Sequence, residues 1–274
     1  MVFDRVRVGG FFAVAPIVLI LGVLIVLPLA TVVAGALAGG WSALVALTGD
    51  PTVRAAVRLS VVVALAAVAV NASFGLLAGW TIAKYRFPGK ALLITLIDAP
   101  LTVSPVIAGL AVVATFGERT PAGGWLAAHG VHVAFEPLGI ALATTLVTFP
   151  YVARAVIAQL SAHGRVLEEA ALGLGASAWQ TFRLVTVPVA RASFLNGLLI
   201  CNARALGEFG AVSVVSGNVR GLTQTIPLQI ADLYNDAHSE AAFALAAALA
   251  LVAIVLALTA RAFARRAASK GFLT

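Results

Sequence analysis

The sequence predicts an all-α integral membrane protein that crosses the bilayer six times, and three observations carry that prediction. Of its 274 residues, 61% are hydrophobic and 11% charged, with a mean hydropathy of +1.04. An ordinary soluble domain carries roughly 25% charge, and its core cannot absorb this much apolar surface. Six stretches, roughly 11–35, 53–82, 91–116, 138–157, 193–216 and 241–263, reach the length of about 20 apolar residues that a spanning helix needs. The basic residues between them also alternate in density from loop to loop.

Assigning alternate loops to alternate sides puts Arg5, Arg7, Lys84, Arg86, Lys90, Arg165, Arg183, Arg191, Arg261, Arg265, Arg266 and Lys270 on one face. Arg54, Arg119 and Arg220 fall on the other. The positive-inside rule makes the first face cytoplasmic, with both termini inside, and this requires an even number of spans. The formal charge of +7 is therefore accounted for by topology and does not point to nucleic acid or to an anionic substrate.

The first span follows Arg5 and Arg7 and precedes Ala36-Leu37-Ala38, which has the small-residue pattern of a cleavage site. Its apolar run outlasts the 7–15 residues, or about that, of a signal-peptide core, so an uncleaved anchor is expected. The outer loop from Gly117 to Glu136 is rich in Gly and polar residues and too short to fold alone. The chain is thus read as a single transmembrane domain over 1–274.

Between the fourth and fifth spans lies the longest cytoplasmic segment, whose organised part covers 161–190. From Glu168 it reads EEAALGLGASAWQTFRLVTVPVA. Glu168, Glu169, Ala170, Ala171 and Leu172 favour a helix, and Gly173 and Gly175 supply a turn. A second short helix is expected over Ala176 to Leu184, its continuation limited by Pro188. The segment reads as a helix-turn-helix lying under the membrane.

The spacing Glu169-Ala170-Ala171, three residues, Gly175, nine residues, Val185-Thr186-Val187-Pro188 resembles the EAA loop of ABC importer permeases, whose pattern is EAA, three, G, nine, I-x-L-P. Val185 and Val187 stand where that pattern has Ile and Leu. The resemblance implies the type I ABC importer transmembrane fold. It also implies a coupling helix, Glu168 to Gly175, that docks into a groove of a separate ATPase subunit. The run ARALGEFGAVSVVSGNVRGLTQTIPLQI from Ala203 to Ile230 is similar to the oxyanion branch of the same family. Within that branch, which imports sulfate, thiosulfate, molybdate and tungstate, it looks most like the W-type sulfate/thiosulfate permease subunits. The likeness covers about residues 52–266. It implies a location in the bacterial inner membrane and a heterodimer with a paralogous second permease. It further implies two ATPase copies, which bind the ATP, and a periplasmic oxyanion-binding protein. No cofactor is expected in this chain.

Ionisable residues within the spans are functional candidates by default. Arg204 and Glu208 are four apart and share a helix face; they either neutralise one another and fix the fifth span against the partner permease, or line the pathway. Asp98, ahead of Pro100 and Pro105, where carbonyls lose partners and a bend in the helix is expected, can pair with Arg154 or Arg204, or cap an adjacent turn. Gly35/Gly39 and Gly75/Gly79 have small-xxx-small spacing, which a chain with 25 glycines also produces by chance. Asn71-Ala72-Ser73 matches the glycosylation pattern but lies within a span. The lone Cys201 supports neither a disulfide framework nor a cysteine metal site, and the four histidines lack ligand spacing.

No G-x-x-x-x-G-K-[ST], H-E-x-x-H or G-x-S-x-G occurs, so the sequence offers neither a nucleotide-binding loop nor a hydrolytic centre. The outer loops carry Asp50, Glu118, Glu136, Asp232, Asp236 and Glu240 against three arginines, a balance that does not gather a dianion. Capture by a separate binding protein is consistent with that balance. Two other readings use the same residues: an ion-coupled secondary transporter, working through Asp98, Arg204 and Glu208, and a membrane scaffold docking through the cytoplasmic loop.

Overall fold

The computed structural model describes residues 2–270, and the regular structure among them is helical throughout. In order, the helices are α1 (Val2–Ala38), α2 (Gly40–Gly49), α3 (Pro51–Lys84), α4 (Lys90–Thr102), α5 (Pro105–Phe116), α6 (Pro121–Ala128) and α7 (Pro137–Ala162). They continue with α8 (Val166–Gly173), α9 (Ala178–Thr181), a π turn (Phe182–Thr186), α10 (Val187–Leu206), α11 (Gly210–Val215), α12 (Ile226–Asn235) and α13 (Ser239–Lys270). The side chains of Arg5, Arg7, Arg265, Arg266 and Lys270, which belong to the basic face expected from the sequence, lie outside the described residues.

Five helical stretches are long and apolar enough to cross a membrane, or six when the bent pair α4–α5 is counted as one span. That pair corrects the expected third span. Residues 91–116 do not form one rod; α4 and α5 meet at 111°. Pro100 and Pro105 each lack the N–H that a continuous helix would use, and Val103 leaves helical geometry with φ −82° and ψ 139°. The residue before a proline is pushed toward extended backbone, and Ser104 has ψ 135°.

The fifth span is corrected at both ends. Its helix runs without interruption from Ala178 to Leu206, so the second half of the 161–190 loop is the foot of this span. Pro188 does not limit it. The preceding π turn widens the helix, the Val187 N–H donates to the Phe182 carbonyl five residues back, and Pro188 enters in the first turn of α10, where a missing N–H costs little. At the other end the expected helix to 216 breaks at Gly207–Phe209 before α11.

The chain separates into two compact units. One draws on the chain up to Asp50 and on Ile230–Ala248. Within it Gly35 lies against the Phe243 ring, where a Cβ would collide, and Tyr234 meets Phe243 edge-on at 6.1 Å. The other unit draws on Pro51–Gln229 and the chain from Leu249 onward. Its centre is the α3–α7–α10 packing. A Cβ on Gly75 would come within 2.9 Å of Val152 Cβ, and one on Gly79 within 2.7 Å of Val156 Cβ. The second glycine pair noted in the sequence is thus a close helix contact. Gly197 of α10 does the same against Ala155. Small residues let backbones approach where no hydrophobic effect drives association.

Asn71 is fully buried, and its Nδ2 donates to Thr148 Oγ1 at 2.8 Å and toward Cys201 Sγ at 3.4 Å. One amide therefore ties three helices together, in a place where no glycosylating enzyme could reach it. A second cluster, with Ala108 and Val112 of α5, Ile140 and Ala143 of α7, and Ala211, Val212 and Val215 of α11, holds the two broken helices against α7.

Candidate functional site

The cytoplasmic foot is built from short-range backbone chemistry. Helix α8 ends on Gly175, whose φ of +88° is the left-handed conformation that glycine adopts without strain. The Gly175 N–H donates to Leu172 O and the Ala176 N–H to Ala171 O, both at 3.0 Å, the paired bonds of a Schellman end. Two residues later Ser177 starts α9 with a full capping box: its Oγ accepts from Gln180 N at 3.2 Å, and its own N–H donates to Gln180 Oε1 at 2.7 Å. Both sides of the turn are therefore fixed by local bonds.

The turn's outer surface is apolar and uncovered. Leu174 is 90% exposed, Val166, Leu172, Trp179 and Leu184 are also exposed, and Ala170 lies open beside them. Exposed apolar groups gathered on a rigid turn mark an interaction surface. The two glutamates of the motif divide in role. Glu169 is exposed and makes no ion pair among the described residues. Glu168 turns inward, where Lys84 Nζ, at the end of α3, reaches its Oε1 at 2.7 Å.

The Thr186 hydroxyl donates to the same oxygen at 3.2 Å, and Lys84 also donates to the Gly164 carbonyl. Burial opposes ionisation of Glu168. The Lys84 bond, the helix's own N–H, the ammonium charge and Thr186 outweigh it and hold the carboxyl below its usual value. Above the pair opens a cavity of about 680 Å³, walled by Leu77, Trp80, Tyr85, Trp179 and Phe182. The Trp80 and Phe182 rings meet edge-on at 5.1 Å, and Trp179 stacks on Phe182 at 5.7 Å.

Among the described residues, two ion pairs lie within the spans. Arg204 Nη1 reaches Glu208 Oε2 at 3.0 Å, and Glu208 Oε1 accepts from the Ala211 N–H at 2.9 Å. Glu208 therefore seals the break between α10 and α11, and its side chain is fully buried. Asp98 pairs with Arg154, not Arg204: Nε to Oδ1 is 2.5 Å and Nη2 to Oδ2 is 2.7 Å, a side-on fork. Arg154 is 57% exposed on the chain's surface. A guanidinium facing hydrocarbon costs about 2.5–3.5 kcal/mol on insertion scales, so this face meets water or another subunit.

Sequence reasoning missed the Lys84 tie and left the partner of Asp98 open. The one available signal was Lys84 itself, a cation in the last turn of a span.

A protein-family profile, the binding-protein-dependent transport system inner membrane component, matches residues 72–269. The chain belongs to that family. It is therefore a membrane-embedded permease component of an ABC importer and not an enzyme. Among curated relatives, the sulfate transport system permease protein CysW of Escherichia coli K12 is 41% identical over 247 residues, covering 90% of this chain and 85% of that one. CysW of Synechocystis sp. is 46% identical over 207 residues, covering 76% and 75%. The sulfate transport system permease protein CysT of Escherichia coli K12 is 32% identical over 252 residues, covering 92% and 91%. In fold, the permease is similar to a chain of a bacterial alginate ABC transporter crystallised with an alginate-bound periplasmic protein. The TM-score is 0.78 with 18% identity and 96% of both chains covered. The bent third span and the helical foot thus belong to an importer-type transmembrane domain.

Proposed function

We propose that this permease is one half of the membrane pathway of an ATP-driven sulfate or thiosulfate importer. The other half is a paralogous permease, two copies of an ATPase attach from the cytoplasm, and a periplasmic oxyanion-binding protein delivers the anion. The substrate assignment draws on the named transport role of the relatives. Heterodimer formation is supported by similarity to two different permease proteins of a single organism. The basic loops support a cytoplasmic placement of both termini and of the α8–α9 turn.

One observation carries the coupling role: a turn locked on both sides that exposes Leu174, Ala170 and the unpaired Glu169. The apolar tip fits a groove, and the free carboxylate suits a basic group on its wall. ATP is bound by the partner, whose closure displaces the turn. The helix from Ala178 to Leu206 acts as a rod about 43 Å long at 1.5 Å per residue. It carries the displacement from the turn to the Glu208 break inside the membrane, and rigid-body tilting then opens the pathway to alternate sides. Glu168, Ala171, Gly175 and Pro188 shape this lever, and Glu169 and Ala170 belong to its docking face.

The test replaces Leu174 by Asp and, separately, Glu169 by Lys. Each variant should insert in the membrane and assemble with the second permease, yet lose ATPase co-purification and sulfate uptake. Uptake at the parental rate with the ATPase still bound would remove the docking role.

A further inference from the structure

Helix α7 carries a winding stripe of exposed residues, Leu138, Leu142, Leu146, Arg154 and Ala158, interrupted by buried Pro150 and turning through about 160° between Leu138 and Arg154. The buried residues of α7 pack on α3 and α10. Three leucines in this stripe suit lipid or an apolar partner, whereas Arg154 suits neither. Arg154 and Asp98 lie roughly two turns in from Ala162 and Lys90, about 12 Å from those helix ends. The pair thus lies within the length of the apolar helices, and Arg154 is exposed away from the chain's own core.

From this geometry we propose that Arg154 is a transit site for a tetrahedral dianion, and that Asp98 is a displaceable stand-in for that anion. The inference rests on the oxyanion-import reading given above. The fork of Nε and Nη2 that grips both Asp98 oxygens is the geometry by which guanidinium binds two oxygens of a phosphate or sulfate. Asp98 occupies the site that substrate would take, and its carboxylate balances the charge of the Arg154 guanidinium while no substrate is present.

Asp98 is a quarter exposed, but its neighbour Ile97 anchors α4 in a buried cluster with Ile82 and Ala153, so the side chain and not the helix is what gives way. Helix α4 contains Pro100, which cannot donate to the Leu96 carbonyl, and it ends at the extended residues Val103 and Ser104 before the 111° bend. Rotation of the Asp98 side chain about its own χ angles withdraws the carboxylate while Ile97 stays packed. Arg154 stays fixed, because its neighbours Val152, Ala153 and Val156 are fully buried against α3 and the helices around it. When Asp98 leaves, the guanidinium takes two substrate oxygens. When Asp98 returns, its negative charge competes for the same fork and repels the dianion, which is released.

The Arg204–Glu208 pair differs in each respect. Its carboxylate is fully buried and also holds the Ala211 N–H, so it cannot be exchanged without opening the α10–α11 break.

The experiment uses the complete transporter in proteoliposomes with its binding protein, ATP and radiolabelled sulfate. Arg154→Gln should lower uptake by roughly tenfold or more, as expected for loss of a charge-assisted bidentate contact, while binding-protein-stimulated ATP hydrolysis persists. Arg154→Lys, which keeps the charge without the fork, should fall between the two. Asp98→Asn should raise ATP-independent efflux from sulfate-loaded vesicles.

The exchanged pair Asp98→Arg with Arg154→Asp restores the ion pair but moves the cation from α7 to α4, so uptake should stay low. Uptake restored by that exchange would make the pair purely structural and overturn the proposal, as would parental uptake by Arg154→Gln. If the parental transporter takes up no sulfate at all, the substrate assignment falls and the transit site falls with it. Parental uptake that is insensitive to Arg154 refutes the transit site alone.

Discussion

Replacing Lys84 by Met tests how the coupling turn is held. Lys84 makes an ion pair with Glu168 and a hydrogen bond to the Gly164 carbonyl, and the two side chains of the pair are 7% and 16% exposed. Removing one partner of a well-buried pair costs about 3–5 kcal/mol because a charge is left uncompensated. Here Glu168 keeps the Thr186 hydroxyl and can draw water through the adjoining cavity, which lowers the expected loss to about 2 kcal/mol. That loss raises the population of the opened turn by roughly 30-fold. The measurement is amide hydrogen exchange across α8 and its Schellman end, where the Leu174, Gly175 and Ala176 N–H groups report directly. Exchange there should accelerate by about that factor while α7 is unaffected, and sulfate uptake should fall with it. Adding Glu168→Leu removes the orphaned charge and should recover much of the protection. Unchanged exchange in the single variant, or no recovery in the double, would refute the tie.

Gly79→Leu drives a side chain into Val156 and should cost at least about 1–3 kcal/mol of overpacking, read as a lower Tm of the detergent-solubilised protein. Gly175 has open space around its missing Cβ, so substitution there is limited by backbone alone. Gly175→Val should destabilise the turn by at least about 1–2 kcal/mol, and Gly175→Asn by clearly less, measured by the same exchange. Because the Glu168 carboxyl is held below its usual value, its contribution is complete above the ordinary carboxylate value of about 4.3 and is lost as pH falls through the lowered one. Protection of α8 should therefore be flat from neutral pH to near that value and drop below it, a dependence that Lys84→Met should abolish.

Local patterns were legible where one residue type answers to one physical demand. The hydrocarbon thickness demands long apolar runs, and spans 1, 2, 4 and 6 fall close to the helices observed. The left-handed turn demands glycine, and Gly175 was found on that basis with its flanking helix. Pro100 and Pro105 pointed to a bend in the third span but not to its size of 111°, and the break in the fifth span was not foreseen. The apolar content of both spans is continuous, and hydropathy measures composition while remaining blind to backbone direction. Pro188 was misread for a related reason. Whether a proline stops a helix depends on the turn before it, and a π turn leaves no mark in composition.

The sequence by itself pointed to a membrane permease, to the approximate positions of its spans, and to where the EAA-like motif lies. Those properties follow from hydrophobicity, charge placement and short-range spacing, each readable along one dimension. The tertiary structure decided that Lys84 rather than a partner subunit holds Glu168, that Asp98 chooses Arg154, and that Gly75 and Gly79 are contacts rather than coincidence. A pair separated by 84 or 56 positions is set by how helices cross. That crossing is the joint result of many weak contacts, none of which is written locally in the chain.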